Sequence, residues 1–288
     1  MVLALVAVAT AIGVIFLFVG YLVDFRFHLR RPQRPAQSRP ILKGCAPFVF
    51  GSGAEAVMAL HGLAGSPAQL REMCTQLASR GFTVYGVLLP GHGTDPDDLY
   101  GARWEHWYSH VESEYIRIRR HHAKVHVVGF SVGAALGLRL ASEYSVDSLT
   151  LISTPVYLFS TWLPTHLMID LAGCFSSSAR TWPQRLPDTP DGPDYMIYDR
   201  IPLDALRAVV KLVEENRSRL GRVTARTALF HSKADFACKP KSARFVYDRI
   251  GSADKRLVWF DRATHSIMHG TEEEKSRLLS EVTSFLRG

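Results

Sequence analysis

One pentapeptide limits what this chain can fold into more than any other stretch: Gly129-Phe130-Ser131-Val132-Gly133. Ahead of it, the apolar run Lys124-Val-His-Val-Val-Gly129 reads as a strand. Behind it, Ala134-Ala-Leu-Gly-Leu-Arg-Leu-Ala-Ser142 reads as a helix. A backbone that passes from strand to helix in so few residues must turn sharply, and glycines without a Cβ let the two elements approach closely. The turn holds its central serine in a strained conformation. It also places the hydroxyl over a helix N-terminus, where N–H groups and the helix dipole favour developing negative charge.

The rest of the chain repeats this alternation. Strand patterns fall at about 55–60, 82–89, 124–129, 148–153, 226–231 and 255–260. Helical patterns fall at about 67–80, 103–121, 132–144, 202–219, 239–250 and 272–286. Alternating strands and helices predict an α/β fold, a mostly parallel, doubly wound sheet covered on both faces. The stretch 155–201 interrupts the rhythm with Pro, Ser, Trp and Tyr and one apolar piece, Thr161 to Ala172. At 288 residues and 47% hydrophobic, the chain has room for one domain of about 240 residues plus an N-terminal extension.

A serine hydroxyl becomes a useful nucleophile when a base takes its proton and a third group orients the base. With this type of turn the partners follow in the order serine, acid, histidine. The strand Thr227-Ala-Leu-Phe-His231 runs into Ser232-Lys-Ala-Asp235, and Arg256-Leu-Val-Trp-Phe260 runs into Asp261-Arg-Ala-Thr-His265. Asp235 and His265 are therefore the candidate acid and base, each beyond the C-terminal end of a parallel strand, where sites of open α/β sheets gather. Asp261 is a weaker acid candidate, because the acid is expected from the loop after the preceding strand. Two backbone N–H donors are needed for the oxyanion. Val132, after the serine, supplies one. Leu63, in the small-residue turn His61-Gly-Leu-Ala-Gly-Ser66, is assigned the other.

These pieces together resemble the α/β-hydrolases, and within them the small bacterial carboxylesterases and monoacylglycerol lipases. The matching motifs are His61-Gly-Leu-Ala-Gly-Ser, Leu89-Pro-Gly-His-Gly-Thr94, Gly129-Phe-Ser-Val-Gly133, Ser232-Lys-Ala-Asp235 and Thr264-His-Ser266, in the family's order over residues 50–288. The pentapeptide departs from the family where Leu often flanks the serine; here the neighbours are Phe130 and Val132. The resemblance implies a serine esterase acting on apolar acyl esters without a cofactor or metal, and a cap at the 155–201 insertion. Thioesterase, amidase or peptidase activity remains open on the same constellation. A peptidase would need a negative site for the substrate amine, for which the insertion offers Asp170, Asp188, Asp191 and Asp194. A non-catalytic membrane-tethered module is a third reading, opposed by the intact order of serine, acid and histidine. Epoxide and haloalkane hydrolases would carry Asp in place of Ser131.

Residues 2–23 hold no charged side chain. As a helix they span about 33 Å, enough for a hydrocarbon core. With no Lys or Arg before the run and a bulky end at Tyr21-Leu-Val, a transmembrane anchor over 1–23 is expected rather than a cleaved signal peptide. Residues 24–43 carry six basic residues against Asp24, a net of +5 out of the chain's +7. The positive-inside rule then puts the basic Pro-containing linker, 24–47, and the domain from 48 to 288 on the cytoplasmic side, with the basic flank drawn to anionic headgroups. Nucleic acid is an unsuitable partner for a basic run set against an apolar 22-mer. Cys45, Cys74, Cys174 and Cys238 are scattered, without metal-ligand or disulfide spacing, and read as free thiols. His61 is expected to shape the oxyanion turn by hydrogen bonding. His92, His121, His122, His231 and His269 read as structural or solvated, and Trp104, Trp107 and Tyr108 as core or cap contacts.

Overall fold

The computed structural model describes residues 39–158, 165–173, 176–180 and 198–288. The apolar segment 2–23, most of the basic flank, Cys174 and much of the 155–201 insertion, with Asp188, Asp191 and Asp194, lie outside the described residues. Among the described residues, no helix is long and apolar enough to cross a membrane.

Six parallel strands and one antiparallel edge strand make a seven-stranded sheet, in the order β1-β3-β2-β4-β5-β8-β9. These are β1 Phe48–Phe50, β2 Glu55–Leu60, β3 Thr83–Val87, β4 Lys124–Phe130, β5 Ser148–Ile152, β8 Arg226–Ser232 and β9 Lys255–Phe260. A two-stranded antiparallel sheet, β6 Ser178–Arg180 with β7 Arg200–Pro202, lies in the insertion. The central strands are apolar on both faces because helices cover both faces. In β2, Ala56, Met58 and Leu60 join one core cluster while Val57 and Ala59 join the other.

On the first face pack α2 (Trp104–Arg119), α3 (Val132–Ala141), α5 (Leu203–Arg217) and α6 (Lys241–Arg249). On the second pack α1 (Arg71–Ser79) and α7 (Glu272–Arg287). The helix α4 (Thr165–Gly173) lies in the insertion, where Ile169 packs with Leu203 and Val210 of α5. Trp104, Trp107 and Tyr108 all belong to the first core cluster, as core residues.

Three features differ from the sequence reading. The helix expected from 67 begins as a 3₁₀ turn, Pro67–Leu70, capped by the Ser66 side chain, and becomes α-helical at Arg71. The strand β1 was not anticipated; three residues, Phe-Val-Phe, are too few to show a period. Its Phe48 and Phe50 rings stack at 4.2 Å, with the Arg71 guanidinium over Phe48. The end of the basic linker is fastened to the domain rather than free. Leu42 N–H donates to Gly93 O at 2.8 Å, Arg39 pairs with Asp95, and Cys45 is buried.

Both roots of the insertion meet the C-terminal edge of the sheet. At the entry, Leu158 bridges Cys238, and Lys239 N–H donates to Tyr157 O. At the exit, Tyr198 N–H donates to Ala64 O, and the Tyr198 hydroxyl accepts from Thr94 N–H and donates to Gly91 O.

Candidate active site

The turn after β4 shows why its sequence is built from glycines. Ser131 has φ +52° and ψ −116°, outside ordinary L-residue space. A Cβ on Gly129 would lie 2.4 Å from Gly133 O, and one on Gly133 would lie 2.1 Å from Leu60 O. Either addition would force the helix off the strand. The Ser131 N–H is tied to Ile152 O at 2.9 Å, and the Ser131 carbonyl accepts the first bonds of α3 from Ala134 and Ala135. The side chain is left over the free N–H groups of the helix N-terminus.

His265 reaches this serine from the loop after β9, with Nε2 3.0 Å from Ser131 Oγ. Its Nδ1 lies 2.9 Å from Asp235 Oδ2, in the loop after β8. A carboxylate oxygen accepts, so Nδ1 carries the proton and Nε2 presents a lone pair to the serine hydroxyl. Asp235 is fully buried, and its other oxygen, Oδ1, accepts from Ala237 and Cys238 N–H, both at 2.9 Å. Three donors thus hold one buried acid. Asp261 is exposed and pairs with Lys233 at 2.7 Å.

Gly62 lies against the serine: a Cβ there would sit 3.0 Å from the Phe130 ring and 3.4 Å from Ser131 Cβ. Behind the loop, His61 Nε2 accepts from Leu89 N–H at 3.0 Å, so its Nδ1–H donates to Gly62 O at 2.8 Å. In a trans peptide the carbonyl of one residue and the N–H of the next point opposite ways. With the Gly62 carbonyl held by the imidazole, the Leu63 N–H faces away from it. Gln69 Oε1 accepts from Gly62 N–H at 3.0 Å and fixes the preceding peptide, so Gly62 is held on both sides. Burial, and then the neighbouring His92, holds His61 well below the ordinary histidine range, so it serves as a neutral brace. His92 is also buried, which lowers it to about 4; it donates to Pro90 O and packs on the edges of His61 and Trp107. Val132 is buried at the first position of α3, where backbone N–H groups have no partner within the helix.

Three neighbours carried no site signal in the sequence. The Cys238 thiol is buried beside the set, its Sγ within 4.8 Å of ligand atoms of Asp235 and His265, and burial pushes it well above the ordinary thiol range. His231 is buried behind the acid: its Nε2–H donates to Cys238 O at 2.9 Å and lies 3.5 Å from Asp235 Oδ2. Ser153, after β5, has φ +51° and donates to His265 O at 2.7 Å. His231 stands in β8, Cys238 in the loop after it and Ser153 after β5, all far in sequence from Ser131, so no local spacing could have joined them to the serine. Asp235, Cys238 and His265 bring ligand atoms within 4.8 Å of one another. A metal there would have to displace the proton that His265 shares with Asp235. His269 is half-buried, which lowers its pKa, and His122 bonds the Tyr85 hydroxyl and Ala54 O. Neither contacts the serine.

Comparison with known proteins agrees with this geometry. A carboxylesterase of Bacillus subtilis (strain 168) is 22% identical over 241 residues, 83% of this chain and 95% of its own length. A thermostable monoacylglycerol lipase of Bacillus sp. (strain H-257) is 25% identical over 239 residues, 80% of this chain and 90% of its own. Among solved structures, one from the study of LipS and LipT, two metagenome-derived lipolytic enzymes, superposes with a TM-score of 0.77 at 21% identity. It covers 86% of this chain and 99% of its own. The monoacylglycerol lipase of Paleococcus ferrophilus superposes at 0.67 with 19% identity, covering 83% and 98%. The family model described as serine aminopeptidase, S33, matches residues 52–273. With that match running from before β2 into α7, the chain belongs to the serine aminopeptidase (S33) family of α/β-hydrolases.

Proposed function

We propose that this chain is a carboxylic ester hydrolase acting on apolar acyl esters, monoacylglycerols or similar short- to medium-chain esters, through an acyl-enzyme on Ser131. The observation that carries the reading is the continuous hydrogen-bonded line Asp235–His265–Ser131, with 2.9 and 3.0 Å links, ending over the N-terminus of α3. His265 Nε2 takes the serine proton as Oγ attacks the ester carbonyl. The N–H groups of Leu63 and Val132 receive the oxyanion. The imidazolium gives its proton to the leaving alcohol. Water then loses a proton to the same nitrogen, attacks the acyl-enzyme, and the proton returns to Ser131 as the acid departs. Asp235 keeps the imidazole in the Nδ1–H tautomer and stabilises its charged form.

The ester preference over a peptide bond is supported by the lipolytic relatives and by Asp170. Of the four candidate acids for a substrate amine it is the one among the described residues, and it is exposed and paired with Arg207 at 3.2 Å. The insertion's roots at the acid loop and at the oxyanion loop support a cap over the site. The uncharged run 2–23 and its basic flank support a single-pass anchor that holds the domain at the cytoplasmic face, beside bilayer-partitioned esters. Full-length protein should be assayed on p-nitrophenyl esters of graded chain length, monoacylglycerols, acyl-CoA and aminoacyl anilides. Ester turnover well above anilide turnover is expected; turnover confined to anilides overturns the reading.

A further inference from the structure

Ser153 holds a left-handed backbone that a residue with a Cβ adopts at a cost and glycine adopts freely. Strain of this kind persists where the surroundings over-determine it, often beside an active site. Here the surroundings are specific. The Ile152–Ser153 pair makes three long-range hydrogen bonds. Ile152 O accepts from Ser131 N–H at 2.9 Å, and Ser153 N–H donates to Phe230 O, in the strand leading to Asp235, at 2.9 Å. The Ser153 hydroxyl donates to His265 O at 2.7 Å, and the residue is fully buried. One dipeptide therefore ties together the backbones of the nucleophile, the acid's strand and the histidine.

The first two bonds are main-chain and would form with any residue at 153; the third needs a hydroxyl. We propose that Ser153 is a positioning residue: its left-handed turn aims Oγ at the His265 carbonyl and fixes the Cα from which the imidazole reaches Ser131. Two other ties act upstream in the same loop. The Ser232 hydroxyl bonds Ala263 O, and Ala263 N–H donates to Glu274 Oε1 at 2.7 Å. Those ties hold the loop on the domain. The Ser153 bond acts on His265 itself. The kinetic consequence rests on the ester-hydrolase reading above.

The test uses full-length Ser153→Gly and Ser153→Ala, with Ser131→Ala as control. Glycine relieves the backbone strain while removing the hydroxyl, so Ser153→Gly should melt close to wild type and above Ser153→Ala. Both should lose about tenfold in kcat on a short p-nitrophenyl ester with KM little changed, the pattern of a misplaced base. The low-field proton resonance of the His265 Nδ1–H···Asp235 hydrogen bond should broaden or vanish in both. A Ser153→Gly protein with wild-type kcat and an unchanged resonance overturns the proposal. If Ser131→Ala hydrolyses the ester as fast as wild type, the ester-hydrolase reading fails instead, and the resonance still decides the role of Ser153.

Discussion

The sheet carries a serine–histidine–carboxylate set at each of its two edges. At the C-terminal edge, Ser131, His265 and Asp235 stand on three loops. At the N-terminal edge, Ser148, His126 and Glu55 stand on strands β5, β4 and β2. There Ser148 Oγ lies 2.8 Å from His126 Nδ1, and His126 Nε2 lies 3.2 Å from Glu55 Oε2. The residue types and the bonded order match, with the imidazole turned end for end. The surroundings do not match. Ser148 is fully buried in a strand, on a backbone without positive φ, paired in register with His126. Ser131 stands on a left-handed turn at a helix N-terminus, beside a loop braced by His61. At the other edge the carboxylate is the exposed member, also paired with Lys124 at 2.7 Å, and the serine is the hidden one. Catalysis needs an accessible hydroxyl and donors for the charge that develops. A hydrogen-bonded trio without them pins strands together.

The sharpest way to break this comparison is to remove each serine. Ser131→Ala should lower ester turnover by ~10³–10⁶ with little change in melting. Ser148→Ala should leave turnover near wild type. It orphans a buried imidazole nitrogen and should cost about 1–3 kcal/mol of stability in denaturant melts. Equal losses of activity would dissolve the distinction.

Next come the acids. Asp235→Asn should cost roughly 10⁴ in kcat, because an amide can present N–H to Nδ1 and favour the wrong tautomer. Glu55→Gln and Asp261→Asn should each stay within about twofold of wild type, since neither touches His265. A larger loss for Asp261→Asn than for Asp235→Asn would reassign the acid.

The smallest effect is one of pH. Lys124 first, and His126 second, hold the Glu55 carboxyl below its ordinary value of 4.5. A lowered folded-state pKa contributes stability above the unfolded value and loses it as pH falls through the folded one. Wild type should therefore lose its melting advantage over Glu55→Gln as pH drops below about 4.5. The change should be on the order of 1 °C, because the pair is reached by water and salt. An advantage that grows on acidification would contradict the pairing.

The alternation of strands and helices, a sheet covered on both faces and the chain order Ser131, Asp235, His265 could be read from local signals. The strand–turn–helix around Gly129 and Gly133 admits few backbones, and each partner follows its own apolar strand. The leucine-flank departure at Phe130 could also be read, but its consequence, a ring 5.2 Å from the His265 ring, could not. The strand β1 was invisible, because three residues carry no period. The helix boundary at Arg71 depended on how Pro67 and Ser66 begin the turn.

By itself, then, the sequence determined what is periodic or local: the alternation that makes a doubly wound sheet, the glycines that make the elbow, and the chain order of the reacting groups. It could not say that Cys238 sits against His265, that His231 backs the acid, or that Ser153 ties down the histidine. It also gave no sign that one set hides its serine within a strand while the other holds it over a helix N-terminus. Those facts join residues from separate loops and strands. They depend on how β4, β5, β8 and β9 line up side by side, and that alignment exists only once the sheet has formed.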